Sequence, residues 1–75
     1  FRRFLKNIET LSPAEKAVFD LYMQGLTGKE IAEKLYLSIN TIKTHNKRIY
    51  EKLEVSSRNE LMVYIRMMKE MDLKG

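Results

Sequence analysis

The step Leu37-Ser38 constrains this chain more than any other feature, because a helix-forming stretch runs up to it and another starts directly after it. Two helices joined by about three residues must cross steeply, and a steep crossing at a tight turn is the geometry of a helix-turn-helix. The remaining punctuation predicts helices on either side. Ser12-Pro13-Ala14-Glu15 is a capping box: the Ser12 hydroxyl accepts from the Glu15 amide, and the Glu15 carboxylate accepts from the Ser12 amide. Pro13 takes the first helical position, where its missing N–H costs nothing. Ala14, Ala17, Val18, Leu21 and Tyr22 then recur at helical steps and predict one apolar face. Gly25 supplies the left-handed residue that ends this first helix, with Leu26 folding back on its last turn.

Thr27-Gly28-Lys29-Glu30 opens a second helix with another box; Ile31, Ala32 and Leu35 make its inner stripe, and it should end near Tyr36. The third helix is predicted from Ile39 to Leu53. A fourth starts at the Ser57-Arg58-Asn59-Glu60 box and continues to about Met71, with Leu61, Ile65 and Met68 as its core stripe. Residues 1–10 carry Phe4, Leu5 and Ile8 at helical spacing and read either as a short helix or as a connector from an upstream domain; residues 72–75 read as a C-terminal tail. The expected fold is all-α, a single domain over 11–71.

Composition limits what such a domain can do. A chain of 75 residues has apolar material for one small core. It has no cysteine, so neither a disulfide nor a thiolate-held zinc can staple it. No catalytic constellation is visible. His45 is the one histidine, no glycine-rich phosphate loop is present, and Ser38, Ser56 and Ser57 read as caps or turn residues. The carboxylates are expected on outer faces. The sequence therefore predicts no enzyme, no metal and no cofactor. No apolar stretch approaches the roughly 20 residues that span a bilayer, and none reads as a signal peptide. The chain opens on Phe1 rather than Met, as expected of a piece of a longer protein, and a cytoplasmic location fits.

The third helix carries the chemistry. On a wheel advancing about 100° per residue, Ile42, Ile49 and Leu53 fall together and define a buried seam. The opposite face collects Asn40, Lys43, Thr44, Lys47 and Glu51, while Thr41, Arg48 and Lys52 lie on one flank. Lys donates to guanine, Asn pairs with adenine and a Thr methyl touches thymine, so the outer face has the inventory for major-groove reading. The flanking hydroxyls and cations suit phosphates. His45 lies at the edge of the seam and is expected to be a packed structural histidine. A lysine-rich outer face can equally be a solvated surface. The local tally weighs against that: Ser38 to Leu53 holds four cations and one anion, a net of +3 out of the chain's +4.

These residues resemble a known family. Leu11-Ser12-Pro13-Ala14-Glu15, Gly25 to Ala32, Leu37-Ser38, Thr41-Ile42-Lys43-Thr44-His45, Ile49, Lys52-Leu53, Val55 and Ser57-Arg58 look like the signature of LuxR/FixJ (GerE-like) regulators, over about Thr10 to Met71. The resemblance implies a four-helix domain without a wing, the output module of a bacterial transcription regulator, whose second and third helices form the helix-turn-helix. It implies base contacts from Lys43, Thr44 and Lys47 and phosphate contacts from Lys29, Ser38, Thr41, Arg48 and Arg58. It further implies dimerisation through the fourth helix. On that helix Met62, Val63 and Met67 are surplus to the core stripe, and read either as core filler or as a self-association surface. The sequence departs from the family pattern at Gly28, where a polar residue is usual, and at Glu54, where a small or polar one is common.

The expected partners are double-stranded DNA with an inverted-repeat operator, a second copy of the chain and RNA polymerase. Two other readings stay open: a helical protein-interaction module whose basic helix meets an acidic surface, and a promoter-recognition module resembling region 4 of a sigma factor.

Overall fold

Every helix start predicted from a cap is a helix start in the structure. The computed structural model describes residues 1–74, with side chains as far as Met71, so the tail expected at 72–75 lies outside the described side chains. The described residues are all-helical and contain no strand. In chain order the helices are α1 (Arg2–Ile8), α2 (Pro13–Met23), α3 (Gly28–Leu35), α4 (Ile39–Leu53) and α5 (Arg58–Lys74). Five helices stand where the resemblance implies four, because residues near the chain start form one of their own.

The caps explain the starts. Ser12 and Thr27 each form the full reciprocal box with Glu15 and Glu30. Ser38 accepts from the Thr41 amide at 3.1 Å. The box expected at Ser57 is only half formed: Ser57 accepts from the Glu60 amide at 3.3 Å, but the Glu60 carboxylate takes the Ser56 hydroxyl at 2.8 Å.

Three helices end by one device. At Gly25 (φ 92°), the Leu26 amide donates back to the Leu21 carbonyl at 3.2 Å. At Tyr36 (φ 57°) the Leu37 amide reaches Ala32, and at Glu54 (φ 58°) the Val55 amide reaches Tyr50. Only the first of these left-handed positions is glycine.

α4 is the central element and packs against α1, α2 and α3. Its seam residues Ile42, Ile49 and Leu53 are buried as expected, together with Val18, Phe19, Leu21 and Tyr22 from α2, Ile31 and Ala32 from α3, and Leu61 and Ile65 from α5. The face expected on α2 needs correcting: Ala14 is exposed and Ala17 half-buried, whereas Phe19 and Glu15 are buried. The reason is α1. Phe4 packs on Phe19 (6.4 Å between ring centroids) and stacks on Tyr64 (4.5 Å), and Phe1 stacks on Tyr64, so a wider sector of α2 is covered.

Glu15 is also the exception to the expectation that carboxylates lie on outer faces, at 3% exposure. Its Oε1 accepts from the Ser12 amide at 2.9 Å and from Lys52 Nζ at 2.6 Å. Lys52 also donates to the Thr10 carbonyl at 3.2 Å. Burying a carboxylate is tolerable only with such partners. They hold the Glu15 carboxyl below its ordinary range, chiefly through the Lys52 and Ser12 hydrogen bonds, against the opposing effect of burial.

Candidate nucleic-acid interface

The seam sets the roll of α4, and the roll decides which side chains face out. With Ile42, Ile49 and Leu53 turned inward, Asn40, Lys43, Thr44, Lys47 and Arg48 are all exposed. Thr44, Lys47, Arg48, Glu51 and Lys52 border a shallow open groove along the outer side of the helix. The Thr44 hydroxyl donates to the Asn40 carbonyl at 3.2 Å, which commits its one hydrogen and leaves its methyl and an acceptor lone pair.

The leading turn of α4 differs electrically from those of α2, α3 and α5. Those three carry Glu15, Glu30 and Glu60 in the first turn, whereas α4 carries no acidic residue there. Its amides and the positive end of its dipole are therefore not offset by a carboxylate of their own turn, an arrangement that favours an incoming anion. Ser38 and Thr41 sit at this end with their hydroxyls 2.9 Å apart. Lys29, in the first turn of α3, and Arg58, opening α5, are also exposed.

The residues singled out from the sequence divide into three groups. Asn40, Lys43, Thr44 and Lys47 share one exposed face of α4, and Ser38, Thr41 (half-buried), Arg48, Lys29 and Arg58 surround it. Lys52 stands apart, because its ammonium is engaged by Glu15 and the Thr10 carbonyl inside the molecule. Met62, Val63 and Met67 do not form one surface. Met62 is half-buried against the core, while Val63 and Met67 are exposed in line with Met71. On α5 these last three follow one another at four-residue steps, so they form one stripe.

His45 is half-buried at the edge of the seam. Among the described residues no group of three or more His, Cys, Asp or Glu could hold a metal, and no helix is long and apolar enough to cross a membrane.

Two features were not singled out from the sequence. The Tyr22 hydroxyl donates to Asn46 Oδ1 at 2.8 Å and links α2 to the flank of α4. Burial holds the Tyr22 and Tyr50 phenols above their ordinary value, against smaller opposing effects from Asn46 at Tyr22 and from the Arg58 guanidinium at both. The other feature is Ile39, an exposed aliphatic residue at the head of α4. Its signal was present as an isoleucine at the first helical position, but it carries no charge or hydrogen bond to attract notice.

Helices α3 and α4 meet at a tight corner, and α4 turns a basic face outward; this fold and site define a helix-turn-helix DNA-binding domain. Residues 9–65 match the family described as bacterial regulatory proteins, luxR family. The transcriptional regulatory protein LiaR of Bacillus subtilis is 43% identical over 56 residues, covering 75% of this chain and 26% of LiaR. The oxygen regulatory protein NreC of Staphylococcus carnosus is 39% identical over 62 residues, 83% of this chain and 29% of NreC. The spore germination protein GerE of Bacillus subtilis is 36% identical over 63 residues, 84% of this chain and 85% of GerE. The chain belongs to the luxR family of bacterial regulatory proteins. It is a DNA-binding domain of a transcription regulator and not an enzyme. It spans less than a third of LiaR or NreC, but most of GerE.

Proposed function

We propose that the domain binds double-stranded DNA site-specifically, with α4 in the major groove. Lys43, Thr44, Lys47 and Asn40 then face base edges, and Lys29, Ser38, Thr41, Arg48 and Arg58 contact phosphates. The observation that carries this reading is the outer face of α4: cations and hydrogen-bonding side chains on an exposed surface, fixed in orientation by a fully buried seam. Its acid-free leading turn supports the same placement. Lys52 is better understood as the partner of Glu15 than as a phosphate contact, because using it on DNA would leave a buried carboxylate unpaired. Acting on the chromosome, the protein works in the cytoplasm, in line with relatives whose names describe transcriptional regulation.

The test is direct. A duplex selected from a random pool should lose about 1–3 kcal/mol of affinity with Lys43→Ala or with Lys47→Ala. Neither substitution should move the melting temperature, since both side chains are exposed. Parent-like binding by both variants would remove the reading.

One helix reads only a few base pairs, so two copies on an inverted repeat are the natural assembly. The exposed stripe Val63, Met67 and Met71 on α5 supports self-association there, whereas half-buried Met62 contributes to the core. Met67→Glu should abolish cooperative binding of two copies and leave half-site affinity intact, measured by titrating full and half operators.

A further inference from the structure

The exposed side of α4 is polar except at its head. Ile39, the first residue of the helix, is 44% exposed, and it sits beside Leu37 at 38% and Tyr36 at 95%. Single exposed aliphatics are common on any protein, but three apolar side chains within four positions, leading directly into a reading face, are not scattered. Ile39 precedes Lys43 by four residues. It therefore lies about 6 Å along the helix from Lys43 and about 40° around it, and it continues the row formed by Lys43 and Lys47.

We propose that Ile39 is a specificity-determining residue that reads the 5-methyl group of a thymine, within about two base pairs of the base that Lys43 contacts. The inference rests on the placement of α4 in the major groove. In that groove thymine alone among the four bases offers a methyl carbon; the other edge groups are donors and acceptors. An isoleucine pressed against those polar groups strips them of water and returns no hydrogen bond. Against a thymine methyl it buries hydrocarbon on hydrocarbon. Leu37 and Tyr36, which precede it in the corner, are exposed apolar residues as well. Thr44 also has a methyl to offer, but it lies roughly 140° around the helix from Ile39 and addresses a different base.

The experiment replaces each thymine of the selected duplex, one at a time, by deoxyuridine, which removes the methyl and leaves every hydrogen-bonding group. One replacement, within about two base pairs of the position whose identity Lys43→Ala relaxes, should weaken parent binding about three- to fivefold, as expected for one buried methyl. Ile39→Ala should bind the thymine and deoxyuridine duplexes alike while melting as the parent does. Indifference of the parent to every replacement overturns the proposal, as does an Ile39→Ala variant that keeps the parent's sensitivity. Sensitivity abolished by Thr44→Ser instead assigns the contact to Thr44 and also overturns it. Should Lys43→Ala and Lys47→Ala bind like the parent, it is the groove placement that has failed, and the proposal falls with it.

Discussion

At its trailing end α4 is tied down from two sides. Lys52 is paired with buried Glu15 of α2, and Glu54, just past the last turn, accepts from Arg3 Nε at 2.7 Å and from Asn7 Nδ2 at 2.9 Å, both on α1. At its leading end the described residues make no such side-chain tie: Ser38 caps the helix locally, Ile42 packs into the seam, and Tyr36, Leu37 and Ile39 are exposed. Beyond the buried seam that runs along the whole helix, the trailing end is tied to its neighbours by side-chain pairs and the leading end is exposed. The aromatic cluster of Phe1, Phe4, Phe19 and Tyr64 packs near the clamped end, while the open end leaves its polar groups and Ile39 exposed. A helix tied at one end and exposed at the other can be perturbed at either, with different results.

The seam is common to both ends, so cutting it should have the largest effect. Ile49 is fully buried, and Ile49→Ala should cost roughly 2–5 kcal/mol through lost burial and a residual cavity. In a domain of this size that is a large part of the total stability, and DNA binding should fail as a consequence. Thermal melting checks this; an unchanged melting point would mean the seam does not carry the packing.

Next in size is the trailing clamp. Lys52→Met keeps the hydrocarbon stem and leaves Glu15 buried without its cation. Breaking a buried pair typically costs several kcal/mol, but Lys52 is 37% exposed, so water screens part of the loss and about 1–3 kcal/mol is expected. The pH dependence gives the sharper readout. Since Glu15 titrates below its ordinary value near 4.5 in the folded protein, the stability it contributes is complete above that value and is lost as pH falls through the lowered one. The gap in melting temperature between parent and Lys52→Met should be widest near neutrality and close on acidification below about 4.5. A gap that does not change with pH would show that the lysine acts through packing alone. Exposed Glu30, held below its usual value mainly by the Thr27 amide, adds an acid loss common to both proteins and cancels in the comparison.

The contrast between the two ends also marks what could be read from the sequence. The open end is built from local signals. Ser38 caps a residue three positions away, and the seam and outer face of α4 repeat at helical spacing, so the cap, the burial and the exposed face were legible there, while uncharged Ile39 was passed over. The clamped end is built from pairs distant in sequence. Lys52 meets Glu15 across 37 residues, and Glu54 meets Asn7 across 47. Such pairs form only once α2 and α1 have docked on α4, and no spacing rule encodes docking. Glu15 is instructive here, because its local role in the capping box was correct and concealed its second role. The same holds for Phe19, which lies outside the stripe counted on α2 until α1 arrives to cover it.

The smallest expected effect tests the two corners against each other. Tyr36 and Glu54 adopt nearly the same left-handed conformation, φ 57° and 58°, which costs a non-glycine residue of order 1 kcal/mol or more. Glycine at either position relieves that cost, partly offset by the extra freedom it gives the unfolded chain. At Tyr36 the side chain is 95% exposed and nothing else is lost, so Tyr36→Gly should stabilise by about 0.5–1 kcal/mol, a rise of a few degrees in melting temperature. At Glu54 the same relief is set against the loss of Arg3 and Asn7, so Glu54→Gly should give a smaller gain or none. Equal gains at both corners would mean that the α1 attachment contributes nothing to folding. A loss at Tyr36 would mean that its exposed ring stabilises the turn in place of the dihedral it strains.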